Sequence, residues 1–236
     1  MNDLRTALGL LTIFPARYDA SRISARAMVW YPLVGLLIGA ALSAANVLTR
    51  LVLPDLAAAV LVVALWAILT GGLHLDGFAD ACDALFAATT RERRLEILRD
   101  VHLGAFGAAG LILLLMLKAA TLANGSWASL FLAPILGRWA IVFAATFPLA
   151  RREGMAAMFV AGLTRREILI ATMLVALPCG IFGWIGLASF VVAIGLALFI
   201  ARLGLNRLGG LTGDIYGMIC ESIEVAVLLV GCMPIW

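Results

Sequence analysis

The sequence predicts an all-α fold, a polytopic integral membrane helical bundle, from its composition, its apolar stretches and the placement of its arginines. Of 236 residues, 64% are hydrophobic and 13% are charged, whereas globular proteins average about 45–50% apolar and about 25% charged residues. A water-soluble domain of this length has too little interior for so much apolar surface, so lipid covers part of it. A formal net charge of only +3 argues against a nucleic-acid partner.

Six apolar stretches approach the length of about 20 residues that a transmembrane helix needs. The stretch 168–201 carries no charge, and at about 1.5 Å per residue it is too long for one crossing. Pro178 and nearby glycines predict a turn near its middle, which gives about seven transmembrane segments. The candidate spans are 28–49, 56–73, 104–123, 127–149, the two halves of 168–201, and 215–236.

The arginines predict the orientation of these spans through the positive-inside rule. With a cytoplasmic N-terminus, 14 of the 16 arginines fall in cytoplasmic segments. A single helix through 168–201 would instead place Arg202 and Arg207 outside. The cytoplasmic segments are 1–27, 74–103, 150–167 and 202–214, with Arg5, Arg17, Arg22, Arg26, Arg91, Arg93, Arg94, Arg99, Arg151, Arg152, Arg165, Arg166, Arg202 and Arg207.

The acidic residues concentrate on the same predicted side. Six of the 14 lie within 74–103, and on a helix Asp76, Asp80 and Asp83 fall at i, i+4 and i+7 and share one face. Carboxylates on one stripe repel each other and cost about 2.5–3.5 kcal/mol each at the centre of a span. A hard cation such as Mg²⁺ would offset that cost. The alternative is a solvated acidic face on a loop helix.

The last span carries further acids. Asp214 and Glu221 share a face, and Glu224 lies about one turn further on. Acidic residues within a span indicate a functional site by default. The alternative is a structural ion pair, for which Arg138 in the fourth span is the obvious partner, although Arg138 is equally a candidate phosphate ligand.

Two residues beside the first acidic cluster are further candidate site residues that the sequence pattern indicates. Asp100 ends a predicted short amphipathic helix and is the acid of that helix best placed to face the cluster. His74 stands two residues before Asp76, which makes it either a candidate catalytic base or a structural hydrogen-bonding group.

Four blocks of sequence resemble the cobalamin synthase family, the adenosylcobinamide-GDP ribazoletransferases. They appear in the family's order and extend over nearly the whole chain. One departure is local, since the family usually has Ser-Arg where Val101 and His102 follow Asp100. The blocks are 31–39 (YPLVGLLIG), 71–83 (GGLHLDGFADACD), 95–100 (LEILRD) and 210–214 (GLTGD), the last followed by Glu221.

The resemblance implies a single integral membrane catalytic domain over 1–236, in the bacterial cytoplasmic (inner) membrane, with its active site facing the cytoplasm. It implies an Mg²⁺-dependent transferase that joins adenosylcobinamide-GDP to α-ribazole, or to its 5′-phosphate, and releases GMP. This late step closes the nucleotide loop of vitamin B12. The number of metal ions and the oligomeric state stay open, and a homo-oligomer is compatible with the sequence.

The candidate site residues follow from this chemistry. Phosphoryl transfer needs positioning and neutralisation of charge, which metal ions and arginine supply. The candidate catalytic residues are His74, Asp76 and Asp80. The candidate metal ligands are Asp76, Asp80, Asp83, Asp100, Asp214 and Glu221, and the candidate substrate-binding residues are Arg94, Arg99, Arg138 and Thr212.

Two other classes of protein share some of these features. CDP-alcohol phosphotransferases also place aspartates around a metal, but their motif has an aspartate at the position of Leu73 and an arginine at the position of Asp80. An ion-coupled transporter would place its carboxylates near mid-membrane on broken helices. Most acids here lie at the predicted cytoplasmic edge, which favours the enzyme.

Overall fold

The computed structural model describes residues 2–15, 25–151 and 153–233, which form α-helices and no β-strand. The predicted all-α fold is therefore confirmed, and the break in 168–201 lies at Phe182. Arg17, Arg22 and Arg152 lie outside the described residues. A 3₁₀ helix, Ala25–Trp30, precedes α2. The α-helices are α1 Asn2–Leu11, α2 Tyr31–Arg50, α3 Asp55–Leu69, α4 Leu73–Phe86, α5 Arg91–Ile97, α6 Ala105–Asn124, α7 Trp127–Ala144, α8 Met155–Val160, α9 Arg165–Ile181, α10 Gly183–Leu208 and α11 Gly213–Val230.

Contacts between helix ends define two ends of the bundle. At one end, the Arg50 guanidinium donates to the Leu122 carbonyl (2.6 Å), and the Ser126 amide donates to the Gly231 carbonyl (3.2 Å). The other end contains the start of α4, the loop after α7 and the loop before α11. There the Arg91 guanidinium donates to the Leu208 carbonyl (2.8 Å). Arg50 and Arg91 thus lie at opposite ends of the bundle.

Among the described residues, four helices are long and apolar enough to cross a membrane: Ala25–Arg50, α6, α7 and α10. The pair α3 and α4, bent by 93°, would together make a fifth. Helix α9 has 17 residues, and α11 carries three acidic residues. A polytopic membrane protein is therefore confirmed, while the count of seven spans and their orientation stay predictions.

Helix α7 is the buried centre of the bundle, and α2 packs closely against it. Gly35 and Gly39 of α2 permit this approach, because a Cβ atom at either position would overlap the backbone of Pro134 or Phe131. Small residues let membrane helices come close enough for backbone contact. The close packing of α2 against α7 therefore explains the two glycines in the block 31–39.

Replacing Gly39 by alanine is expected to lower the midpoint of thermal unfolding in detergent by about 5 °C, because the added methyl group pushes α2 away from α7. Gly195 of α10 is a matched control, since a Cβ atom there meets open space. Gly195→Ala should keep or slightly raise the midpoint, because alanine favours helices. Equal midpoints for the two variants would contradict the close packing.

Candidate active site

A sharp bend brings the first acidic block into the bundle. Gly71 and Gly72 both have left-handed backbones, with φ of +62° and +68°, a region that favours glycine. They end α3, and α4 begins at Leu73 with its axis turned by 93°. The two adjacent glycines of the motif are therefore explained by the bend.

Helices α4 and α11 cross near their N-termini at a pair of glycines. A Cβ atom at Gly77 would lie 3.1 Å from the Cα atom of Asp214, and one at Gly217 would lie 2.9 Å from the carbonyl oxygen of His74. Larger residues would separate the helices. The crossing brings the sequence blocks 71–83 and 210–214 together.

A cavity of about 370 Å³ opens beside this crossing. Helices α4 and α11 supply part of its wall, and the loop and short helix after α7 supply another part. Much of the lining is apolar. The polar and charged side chains that line it are Tyr31, His74, Asp76, Arg151, Glu153, Thr212, Asp214 and Tyr216.

Three aspartates cluster at this cavity, and Arg151 is the one arginine or lysine among the described residues that lines it. Asp76 and Asp214 line it. Asp80, one turn further along α4, is half-buried and experiences repulsion from Asp76, Asp83 and Asp214. Asp214 accepts a hydrogen bond from the Thr212 hydroxyl (3.1 Å). The structure thus brings together three of the six predicted metal ligands.

These three carboxylates fit a partly built Mg²⁺ site. The described residues contain no group of three His, Cys, Asp or Glu side chains already arranged to hold a metal. Mg²⁺, however, commonly takes one or two carboxylates and completes its shell with water and substrate phosphates. Asp76, Asp80 and Asp214 supply hard oxygen donors, a negative charge that exceeds the positive charge of Arg151, and an adjoining cavity. The presence of the ion stays a prediction.

Two other predicted ligands are engaged elsewhere. The carboxylate of Asp83 accepts hydrogen bonds from the amides of Gly104 (2.8 Å) and Gly107 (2.9 Å), so it caps the N-terminus of α6. Asp100 lies in an exposed loop with its Oδ1 atom 2.6 Å from Nδ1 of His102. That hydrogen bond lowers the pKa of Asp100.

A third predicted metal ligand, Glu221, lies in a buried ion-pair cluster. Its Oε2 atom is 2.6 Å from Nζ of Lys118, the only lysine in the chain. Glu224 pairs with both Lys118 and Arg138. The prediction of Arg138 as a substrate ligand is wrong, because this side chain is fully buried against Glu224. Arg138 instead forms a structural ion pair with Glu224, which was the alternative role predicted for it.

The arginine at the cavity is one that the sequence did not single out. Arg94 is buried and donates to the carbonyls of Ala84 (2.5 Å) and Leu85 (2.8 Å), so it caps α4. Arg99 is exposed and does not line the cavity. Arg151 lines it. Burial and repulsion from Arg99 lower the pKa of Arg151, and attraction to Asp214 opposes this shift.

Three further polar residues line the cavity. Thr212 begins α11, where its hydroxyl accepts from the Ile215 amide (3.4 Å) and orients Asp214. His74 and Tyr216 are 5% and 6% exposed. Nδ1 of His74 and Oη of Tyr216 have no hydrogen-bond partner among the described residues. His74 and Thr212 were predicted site residues, and Tyr216 was not.

The fold and site define a polytopic membrane protein with a carboxylate-lined cavity at one end of an α-helical bundle. The family model described as cobalamin-5-phosphate synthase matches residues 3–232. The chain belongs to this family. The predicted enzyme class is therefore confirmed over the transporter alternative.

Relatives of known name agree with this assignment. The chain is 38% identical over 250 residues to the adenosylcobinamide-GDP ribazoletransferase of Desulfitobacterium hafniense (strain Y51), with 100% of this chain and 98% of the relative covered. It is 40% identical over 240 residues to the enzyme of that name from Stutzerimonas stutzeri (strain A1501), with 97% of each covered. No solved structure matches the chain.

Proposed function

We propose that this protein joins adenosylcobinamide-GDP to α-ribazole, or to its 5′-phosphate, with release of GMP in an Mg²⁺-dependent reaction. The names of its relatives support the two substrates. The observation that carries the Mg²⁺ dependence is the group of Asp76, Asp80 and Asp214 at one cavity, where three negative charges exceed the single positive charge of Arg151.

In the proposed reaction, a ribose hydroxyl oxygen of α-ribazole forms a bond to the phosphorus that carries the aminopropanol arm of cobinamide. The bond between that phosphorus and the oxygen bridging to GMP breaks, and GMP leaves with the bonding electrons. Mg²⁺, held by Asp76, Asp80 and Asp214, would neutralise the charge that gathers on the diphosphate.

The remaining polar residues then take specific roles. The Arg151 guanidinium is the phosphate ligand, since it is the arginine that lines the cavity and its planar fork suits phosphate oxygens. Thr212 holds Asp214 in place through its hydroxyl. His74, which lines the same cavity as Asp76 and Asp214 and has an unpartnered Nδ1, or a carboxylate outside the metal shell, accepts the hydroxyl proton.

We further propose that the protein lies in the bacterial inner membrane with this cavity facing the cytoplasm. The end that carries the cavity is also rich in arginine. Arg91, Arg94, Arg151 and Arg207 all donate to backbone carbonyls there. Such a concentration of arginine is typical of the cytoplasmic face.

The proposed function is tested by incubating the purified protein in detergent with Mg²⁺ and both substrates and measuring GMP and the cobalamin product. We expect one GMP for each cobalamin formed, and neither when EDTA replaces Mg²⁺ or α-ribazole is left out. GMP release without α-ribazole would indicate a hydrolase instead. Absence of GMP with both substrates present would contradict the proposal.

A further inference from the structure

The inner wall of the cavity is apolar and aromatic. Leu11, Met28 and Phe159 line it and are at most 5% exposed. The rings of Tyr31 and Phe159 pack edge to face, with centroids 6.3 Å apart. The Tyr216 ring belongs to the same buried hydrophobic cluster. This part of the cavity therefore suits a flat, largely apolar group.

Two tyrosines, Tyr31 and Tyr216, contribute hydroxyl groups to this wall. The Oη atom of Tyr216 is buried and has no partner among the described residues, although buried tyrosine hydroxyls are normally hydrogen-bonded. Other unpartnered hydroxyls, such as that of Ser189, lie away from the cavity. The Tyr216 hydroxyl therefore lacks the partner that a ligand in the apolar part would supply.

We propose that this cavity binds the ribazole substrate and that Tyr216 selects it, by donating a hydrogen bond to the free ring nitrogen of the dimethylbenzimidazole base. This inference rests on the proposed function. It places the base against the apolar wall and the ribose toward Asp76 and Asp214, where the hydroxyl that attacks phosphorus must lie.

The chemistry of the two substrates favours ribazole over the alternatives. Dimethylbenzimidazole is flat and apolar, and its one ring nitrogen not bonded to ribose is its only acceptor. Guanine carries several donors and acceptors, which an apolar wall would leave unpaired at a cost. A corrin ring with its side chains exceeds a cavity of about 370 Å³, a volume near the lower limit for small-molecule sites.

The first test is the variant Tyr216→Phe, which removes only the hydroxyl. We expect the KM for α-ribazole to rise about tenfold, while kcat and the KM for adenosylcobinamide-GDP change less than twofold. Ser189→Ala is the matched control, because it also removes a buried, unpartnered hydroxyl but one outside the cavity. Both KM values of this control should equal those of the wild type.

The second test uses binding without turnover. Equilibrium dialysis compares 5,6-dimethylbenzimidazole with 5,6-dimethylindole, which differ only in the acceptor nitrogen. We expect wild-type protein to bind the benzimidazole about tenfold more tightly, and Tyr216→Phe to bind the two equally. Because wild-type protein is sufficient for the first comparison, the test does not depend on how well the variant folds.

Distinct outcomes separate this inference from the proposed function. An active wild type that binds both bases equally, or a Tyr216→Phe variant with an unchanged KM for α-ribazole, overturns the role of Tyr216. A raised KM for adenosylcobinamide-GDP alone would assign the cavity to the other substrate and would also overturn it. A wild type that prefers the benzimidazole but releases no GMP would support the binding site and contradict the proposed function.

Discussion

Replacing Asp76 or Asp80 by asparagine is expected to lower the rate of GMP formation by roughly a thousandfold, the upper range for losing one preorganised electrostatic contact. Asparagine keeps the size of the side chain but carries no charge to hold Mg²⁺. Neither aspartate has a hydrogen bond or ion pair to another described residue that the change would break. The loss should therefore be one of catalysis and not of folding.

Thermal unfolding with and without Mg²⁺ separates these effects. For the wild type, Mg²⁺ should raise the unfolding midpoint, because an ion that binds only the folded state stabilises it. For Asp76→Asn and Asp80→Asn, Mg²⁺ should have little effect. Without Mg²⁺, both variants should be at least as stable as the wild type, because repulsion within the group that includes Asp214 is reduced.

Asp55→Asn provides the matched control. Asp55 lies at the opposite end of the bundle, where its Oδ1 atom is 3.2 Å from the Arg50 guanidinium, and it is exposed. We expect this variant to form GMP at the wild-type rate and to keep the response to Mg²⁺. Near-normal turnover in both Asp76→Asn and Asp80→Asn would contradict the metal site.

The helical bundle could be predicted from sequence because apolar length and charge placement act locally. The turn at Phe182 follows from the length limit on one crossing, since 168–201 exceeds the bilayer core. The bend after α3 was less predictable. The pair Gly71 and Gly72 signals a turn, but only packing against α11 shows that α4 turns into the bundle and does not leave it as a loop helix.

The site could be predicted in part, for a related reason. Helical spacing correctly grouped Asp76 with Asp80, but spacing within one helix does not reveal which helix lies opposite. Asp83 therefore looked like a ligand, although it faces the amides at the start of α6, and Glu221 looked like one, although it faces Lys118. Arg151 could not be distinguished from the other loop arginines, because its place at the cavity depends on tertiary packing.

Replacing Glu224 by glutamine is expected to destabilise the protein by about 3–5 kcal/mol, the cost of breaking a buried ion pair. Glu224 contacts both cations of its cluster, with Oε2 2.5 Å from Nζ of Lys118 and Oε1 against Arg138. Together with Glu221 they form two cations and two anions, each at most 3% exposed. The variant would leave a net positive charge in the core of the bundle, where water does not solvate it.

This loss of stability is measured by unfolding the protein in detergent micelles that contain increasing fractions of sodium dodecyl sulfate. Glu96→Gln is the matched control, because Glu96 pairs with Arg93 at 2.7 Å on the exposed surface, where screening makes ion pairs weak. We expect no measurable shift for this control.

A charge-balanced double variant tests whether uncompensated charge is the cause. Replacing both Arg138 and Glu224 by methionine removes one charge of each sign and leaves Lys118 paired with Glu221. If the imbalance causes the loss, the double variant should be more stable than Glu224→Gln, because apolar replacement of a whole buried pair is often neutral or stabilising. A double variant whose loss equals the sum of the losses of Arg138→Met and Glu224→Met, each measured alone, would show that side-chain packing, and not charge balance, makes this cluster necessary.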